Sequence, residues 1–225
     1  MPRKRDILAE ITAKRARHKK RTPRFDQAME RLITVFRIGL QLRRPNAMPL
    51  DLRRETAKYI PIATVGCLEG YFRMAFRDLV DAGSPYRENA IRVSDLRISL
   101  EHVVAMQAGK FTLGEFVSHL LPTSSIDDIS DAMSTLIGEP FLDRLKHVET
   151  DYFWPEPGVV SMESEGMMGP MMRDIRKLFE DRHIFAHELA SSVKVNIRAI
   201  EERIGAASVL LTGTEALVSE LIHAA

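Results

Sequence analysis

Apolar residues recur at steps of three and four along most of the chain, and this spacing restricts the possible fold more than any other feature. Phe25, Met29, Leu32, Phe36 and Leu40 follow it, which is typical of a helix with one buried face. The alternating pattern of a half-buried strand is absent over any useful length. The sequence therefore predicts an all-α protein.

Helix-start and helix-stop residues divide this pattern into elements. Asp51 is the predicted N-cap of a second, long helix, in which Pro61 predicts a kink or a break. Ser94 precedes a third apolar run and is its predicted start. Two capping boxes, Thr112 with Glu115 and Ser125 with Asp128, predict further short helices.

Residues 149–170 carry no sustained period and are predicted to form a long loop. Pro170 is suited to the first turn of the helix that follows. That helix is predicted from Met171 onwards, and a final helical pattern runs from Val193 almost to Ala225.

Composition places the chain among globular proteins. Its 225 residues suffice for one domain with a sizeable core, and 45% hydrophobic with 28% charged residues exclude wholesale disorder. Cys67 is the single cysteine and cannot form an internal disulfide. The basic N-terminus leads into no apolar segment, and no uninterrupted apolar run approaches about 18 residues. We therefore expect a cytoplasmic protein with no membrane partner.

Positive charge is concentrated at the N-terminus. Residues 1–24 carry ten lysines and arginines and two carboxylates, a net charge of +8 in a chain whose total is +1. A basic arm on an acidic body is suited to neutralising phosphates, and the alternative is a solvated tail that docks on an acidic surface. The predicted RNA-binding residues of the arm are Arg15, Arg17, Lys19, Lys20 and Arg21. The predicted organisation is a basic arm over 1–24, an amphipathic helix over 25–48 and a helical domain over 49–225.

The densest group of reactive side chains lies late in the chain, where Arg182, His183 and His187 follow one another closely. His183 and His187 are four residues apart and would share a helix face, whereas Arg182 and His187 would lie about 140° apart around an ideal helix. The two could converge only if the helix bends or begins there, or if a second chain supplies a partner. The residue types alone leave open a metal site completed by Asp181 or Glu188, and an ordinary ion-pair face.

The run from Arg182 to His187 resembles the signature of the HEPN superfamily, which is an arginine, a polar residue, three further residues and a histidine. Leu68-Glu69-Gly70-Tyr71-Phe72 is similar to the glutamate-and-aromatic run on an early helix of that family. The resemblance extends over about residues 50–210, with its specific part in these two runs. It implies a bundle of four to six antiparallel helices, with extra N-terminal helices here, similar to HEPN ribonuclease toxins and RiboL-PSP-HEPN-like proteins.

The resemblance also implies a metal-independent endoribonuclease, without a cofactor, that dimerises so that two copies of the motif face each other. His187 would then transfer protons, Arg182 would stabilise the charged transition state, and His183 would orient them or bind a phosphate. Glu69 would hold Arg182 in place. The ribose 2′-hydroxyl would attack phosphorus and leave a 2′,3′-cyclic phosphate and a 5′-hydroxyl.

Several functions remain open at this point. The family resemblance implies toxin–antitoxin or antiviral defence systems, with an antitoxin or regulatory protein as a partner. Leu189 stands where members controlled by tyrosine adenylylation carry tyrosine, which argues against that control. The alternatives are a catalytically silent module that binds RNA or protein, and a DNA-binding regulator that uses residues 1–24.

Overall fold

The described residues form an all-α bundle with one small β-hairpin, so the predicted all-α class is confirmed. The computed structural model describes Ile11 and residues 23–44, 48–93, 98–152, 158–161, 166–187 and 195–224. Its helices are α1 (Arg24–Arg43), α2 (Leu50–Ala82), α3 (Tyr86–Asn89), α4 (Leu100–Gln107), α5 (Leu113–Ser118), α6 (Ile126–Ile137), α7 (Phe141–Lys146), α8 (Met168–His187) and α9 (Ile197–Ala224). A 3₁₀ turn spans Ala90–Arg92, and the strands are β1 (Glu149–Tyr152) and β2 (Gly158–Ser161).

Helix α2 is the centre of the bundle, because α1, α5, α8 and α9 all pack against it. It places residues of several faces in the core, including Leu68, Tyr71, Phe72, Phe76 and Leu79, each at most 1% exposed. Helix α1 packs on both α2 and α9. The amphipathic helix predicted for residues 25–48 therefore contributes to the same core as the rest of the described chain.

The prediction for the start and course of α2 is partly wrong. The helix begins at Leu50 after Pro49, so Asp51 lies in the first turn instead of at the N-cap. There its charge is still favourable to the helix dipole. Pro61 lies inside the 33-residue helix without breaking it. Proline removes one helical hydrogen bond, and the packing of the buried residues on both sides of Pro61 offsets that loss.

Both predicted capping boxes are present. Thr112 and Glu115 bond each other's backbone N–H at the start of α5, and Ser125 and Asp128 do so at the start of α6. The third short helix, α4, begins later than expected, with Ser99 as its N-cap. Ser94, the predicted start, lies outside the described residues.

The interval 149–170, predicted to be a long loop, contains regular structure. Strands β1 and β2 pair antiparallel, with Glu149 opposite Ser161 and Tyr152 opposite Gly158. Helix α8 begins at Met168, so Pro170 lies in its first turn as expected. Strands of four residues are too short to show a clear alternation, which explains why the sequence pattern missed them.

Three residues of the N-terminal arm are described by the structure, namely Ile11, Pro23 and Arg24. Ile11 is helical and only 2% exposed, so it belongs to the core. Arg24 begins α1, and its side chain is only 10% exposed in ion pairs with Asp78 and Glu215. Arg24 is therefore a structural cation and is not available as a phosphate contact. The five predicted RNA-binding residues, Arg15, Arg17, Lys19, Lys20 and Arg21, lie outside the described residues.

A buried polar cluster joins α1, α2 and α9. Arg24 Nη1 donates to Asp78 at 2.6 Å and Arg24 Nε lies 2.8 Å from a Glu215 carboxylate oxygen. The Tyr71 hydroxyl, on a fully buried ring, donates to the same Glu215 oxygen at 2.8 Å. Burial, and then the adjacent Glu215 charge, raise the pKa of Tyr71 well above its ordinary value.

One described helix, α9, is long and apolar enough by length and composition to cross a membrane. Its most apolar window has a mean hydropathy of 1.3, and half of that window is buried inside the bundle. Because α9 packs on α1, α2 and α8, it also has the contacts of a central bundle helix.

Gly114, where α5 packs against α2, has no room for a side chain. An added Cβ would lie 2.3 Å from the Arg77 carbonyl oxygen and 2.7 Å from an Asp81 carboxylate oxygen. We expect Gly114→Ala to lower the free energy of unfolding by about 2 to 3 kcal/mol, measured by urea denaturation. Gly205→Ala is the matched control, because nothing lies within 4 Å of its added Cβ. Gly205→Ala should raise the free energy of unfolding by up to about 1 kcal/mol. Equal effects of Gly114→Ala and Gly205→Ala would contradict the close packing at Gly114.

The buried phenol of Tyr71 predicts a loss of stability at high pH. Unfolded tyrosine ionises near pH ~10, whereas the folded group keeps its proton to higher pH. Above pH ~10 only the unfolded state loses the tyrosine proton. The contribution of Tyr71 to the free energy of unfolding therefore falls by about 1.4 kcal/mol per pH unit. Tyr71→Phe should lack this part of the slope in urea denaturations between pH 9 and 11. Tyr59→Phe should keep the wild-type slope, because Tyr59 is 59% exposed. A wild-type slope in Tyr71→Phe would refute the assignment of this slope to Tyr71.

Candidate active site

Helix α8 carries Arg182, His183 and His187 in its last two turns. The helix is continuous from Met168 to His187, so neighbouring side chains leave it about 100° apart. Arg182 therefore faces the bundle, and His183 and His187 face outwards together. The sequence pattern Arg-His-Ile-Phe-Ala-His thus separates one inward cation from two outward imidazoles.

Arg182 is held by Glu69 of α2. Arg182 Nη2 donates to Glu69 Oε1 at 3.1 Å, and their side chains are 27% and 19% exposed. The predicted contact between these two residues, 113 positions apart in the chain, is therefore present. A carboxylate that accepts a hydrogen bond from a guanidinium group fixes the orientation of that group. The exposed part of Arg182 can still reach a ligand.

A second ion pair, which the sequence did not reveal, anchors the same turn of α8. Arg203 of α9 donates to Asp181 at 2.5 Å, and both side chains are less than 20% exposed. Lys177 also lies 3.3 Å from Asp181. Residues 181 and 182 therefore tie α8 to α9 and to α2, and this fixes the rotation of the helix. Only the tertiary structure brings Arg203 to this position.

The two histidines form an exposed pair. Their ring centroids are 5.2 Å apart with an angle of 50° between the rings, and both residues lie at the surface. The predicted shared face of His183 and His187 is confirmed. Imidazole can donate and accept protons near neutral pH, so this surface can take part in proton transfer with a bound molecule.

Arg182 and His187 do not converge within one chain. The helix neither begins nor ends between them, and five residues of regular helix turn the two side chains about 140° apart. A helix start between the two residues is therefore excluded, and a second chain is a route by which both residue types can meet. The single chain therefore supplies two halves of a constellation on different sides of α8.

A cleft of about 460 Å³ opens beside His183, between α8 and the start of α6. Arg176 crosses its edge and binds Asp127 through two nitrogens, at distances of 2.7 to 3.2 Å. These hydrogen bonds hold the pKa of Asp127 below its ordinary value. This cleft was not predicted from the sequence, because its two walls are about 50 residues apart.

The metal site considered from the sequence does not form among the described residues. No group of three or more His, Cys, Asp and Glu side chains in this part of the chain could hold a metal ion. Asp181, one proposed third ligand, is engaged by Arg203, and Glu188 lies outside the described residues, as does Leu189. Cys67 is buried, and burial raises the pKa of its thiol to about 11, so it is poorly suited to act as a nucleophile.

Comparison with known proteins adds no relative. The chain matches no protein-family model, no curated protein and no solved structure.

The ion pair between Glu69 and Arg182 should be measurable as a coupling energy. In a double-mutant cycle of Glu69→Ala and Arg182→Ala, we expect about 1 kcal/mol of coupling in urea denaturation, because both side chains are largely shielded from water. The pair of Arg198 and Glu202 is the control, with side chains 81% and 65% exposed, and should show none. Equal coupling in the two cycles would mean that the observed contact does not fix Arg182.

Proposed function

We propose that the protein is an endoribonuclease that cleaves RNA without a metal ion, as the resemblance to the HEPN superfamily implies. The observation that carries the proposal is the arrangement around α8: an arginine fixed by Glu69 and two exposed histidines whose rings are 5.2 Å apart. These are the groups that transesterification at phosphorus requires. Arginine supplies a permanent positive charge, and histidine supplies proton transfer.

The reacting groups would come from two copies of the chain. Because Arg182 and His187 lie on different sides of a continuous helix, a cleft between two α8 helices can surround one phosphate with both residue types. The exposed positions of His183 and His187 leave this face open to a second copy. The homodimer is thus part of the proposal and accounts for the divergence of the two side chains.

The chemistry proceeds in one displacement. The 2′-hydroxyl loses its proton to a histidine acting as general base, and its oxygen attacks the adjacent phosphorus. A second imidazole gives a proton to the departing 5′-oxygen, so that no net proton is consumed. Arg182 stabilises the charge that grows on the phosphoryl oxygens. The products are a 2′,3′-cyclic phosphate and a 5′-hydroxyl.

Glu69 would act as a positioning residue. It accepts from one of the five N–H donors of Arg182 and restricts the rotamers of a long side chain. An arginine that is already oriented loses less entropy when it binds a phosphate. The proposed biological role is RNA cleavage in a bacterial toxin–antitoxin or antiviral defence system, with an antitoxin or regulatory protein as a further partner.

The test is cleavage of RNA in EDTA by the full chain. We expect Arg182→Ala to reduce the rate by about 100- to 1,000-fold and His187→Ala by about 100-fold or more. New RNA ends should carry a 5′-hydroxyl, detected by direct labelling with polynucleotide kinase.

Arg198→Ala and His223→Ala are matched controls at other exposed positions of the bundle, and both should cleave at the wild-type rate. Loss of cleavage in EDTA would exclude the metal-independent mechanism. Full activity in both α8 variants would exclude the assigned site. RNA binding without cleavage by the wild-type protein would identify the silent binding module instead.

A further inference from the structure

The cleft beside His183 has the size and lining of a small-molecule site. Its volume of about 460 Å³ lies within the range of about 300 to 1,000 Å³ typical of ligand pockets. Ile126, Phe179 and Ile184 supply apolar surface along it. Phe179 is only 5% exposed, so it forms a fixed floor. A flat, apolar group of the size of a heterocyclic base fits this part of the cleft.

Two ion pairs lie along the polar edge of the cleft. Arg176 and Asp127 neutralise each other through their paired hydrogen bonds. Glu180 leaves a further carboxylate at the cleft, where Lys177 donates to one of its oxygens at 3.0 Å. A carboxylate can accept about four hydrogen bonds, so Glu180 retains acceptor capacity. This edge favours a ligand that carries N–H donors.

The position of the cleft connects it to the proposed chemistry. His183 lines the cleft, and its ring centroid is 5.2 Å from that of His187. A group bound in the cleft would therefore lie next to the phosphate on which His187 acts. Proteins that read single-stranded RNA take unstacked bases into such pockets and bond their Watson–Crick edges.

We propose that this cleft binds one unstacked guanine base of the RNA, next to the bond that is cleaved; the proposal rests on the ribonuclease function above. Guanine has two adjacent N–H donors on its Watson–Crick edge, the ring N1–H and the exocyclic amino group. They match the two oxygens of the Glu180 carboxylate, while Phe179 and Ile184 contact the base. Adenine and cytosine present one donor beside an acceptor, and uracil presents a single donor between two acceptors.

Binding of nucleoside 5′-monophosphates to the full chain, followed by calorimetry, tests the cleft without any cleavage. We expect guanosine monophosphate to bind about tenfold more tightly than the uridine compound, the gain expected from one or two charge-assisted hydrogen bonds. Glu180→Gln should abolish this preference. Glu202→Gln, at an exposed carboxylate elsewhere on the bundle, should keep it.

Two substitutions of Ser124 test whether the ligand occupies the cleft. Ser124 is exposed at the cleft, and its hydroxyl donates a hydrogen bond to the nearby Asp128. Ser124→Trp should fill the cleft and weaken guanosine monophosphate binding at least about tenfold. Ser124→Ala loses the same hydrogen bond but leaves the cleft open, so it should bind as the wild type does. Wild-type affinity in Ser124→Trp, or equal affinity for all four nucleotides, would overturn the proposal.

The cleavage assay separates this proposal from the ribonuclease function. Cleavage in EDTA with no preference for guanine, and at full rate in Ser124→Trp, would refute the base site and leave the enzyme. Guanosine monophosphate binding that Ser124→Trp abolishes, in a protein that does not cleave RNA, would support the base site and refute the enzyme.

Discussion

Burial of a broad face of α2 is the constraint on which the rest of the structure depends. Thirteen of its 33 residues are buried, and each large apolar side chain taken out of water contributes about 1.5 to 3 kcal/mol. The helices that cover it, α1, α5, α8 and α9, have little freedom to rotate. Glu69 lies on this central helix, so the position of Arg182 is set by the core of the protein and not by a surface loop.

Local signals allowed much of the fold to be predicted. The spacing of apolar residues located the long helices, and the capping boxes at Thr112 and Ser125 located two short ones, because both signals act within a few residues. The contact between Glu69 and Arg182 was also anticipated, although only through the family resemblance. Nothing in the local sequence ties two residues 113 positions apart.

The failures have a common physical origin in tertiary context. Pro61 is a helix breaker by propensity, but burial on both sides holds α2 continuous. In the sequence, Arg24 is one of the cations of the basic arm, whereas in the structure it forms ion pairs with Asp78 and Glu215. The cleft beside His183 was likewise invisible, because α6 and α8 form its walls only after folding. In each case a partner distant in sequence decides what the residue does.

The separation of Arg182 and His187 around α8 would have a kinetic consequence for the proposed enzyme. If one chain carries only half of the reacting groups, an isolated chain is inactive, and at low concentration the rate rises with the square of the amount of protein. Such a dependence sets a threshold: small amounts do little, and a modest increase in synthesis has a disproportionate effect. A partner that covers the exposed face of His183 and His187 would keep the chains apart without altering a single reacting group. The geometry of one helix would thus determine how abruptly the activity begins.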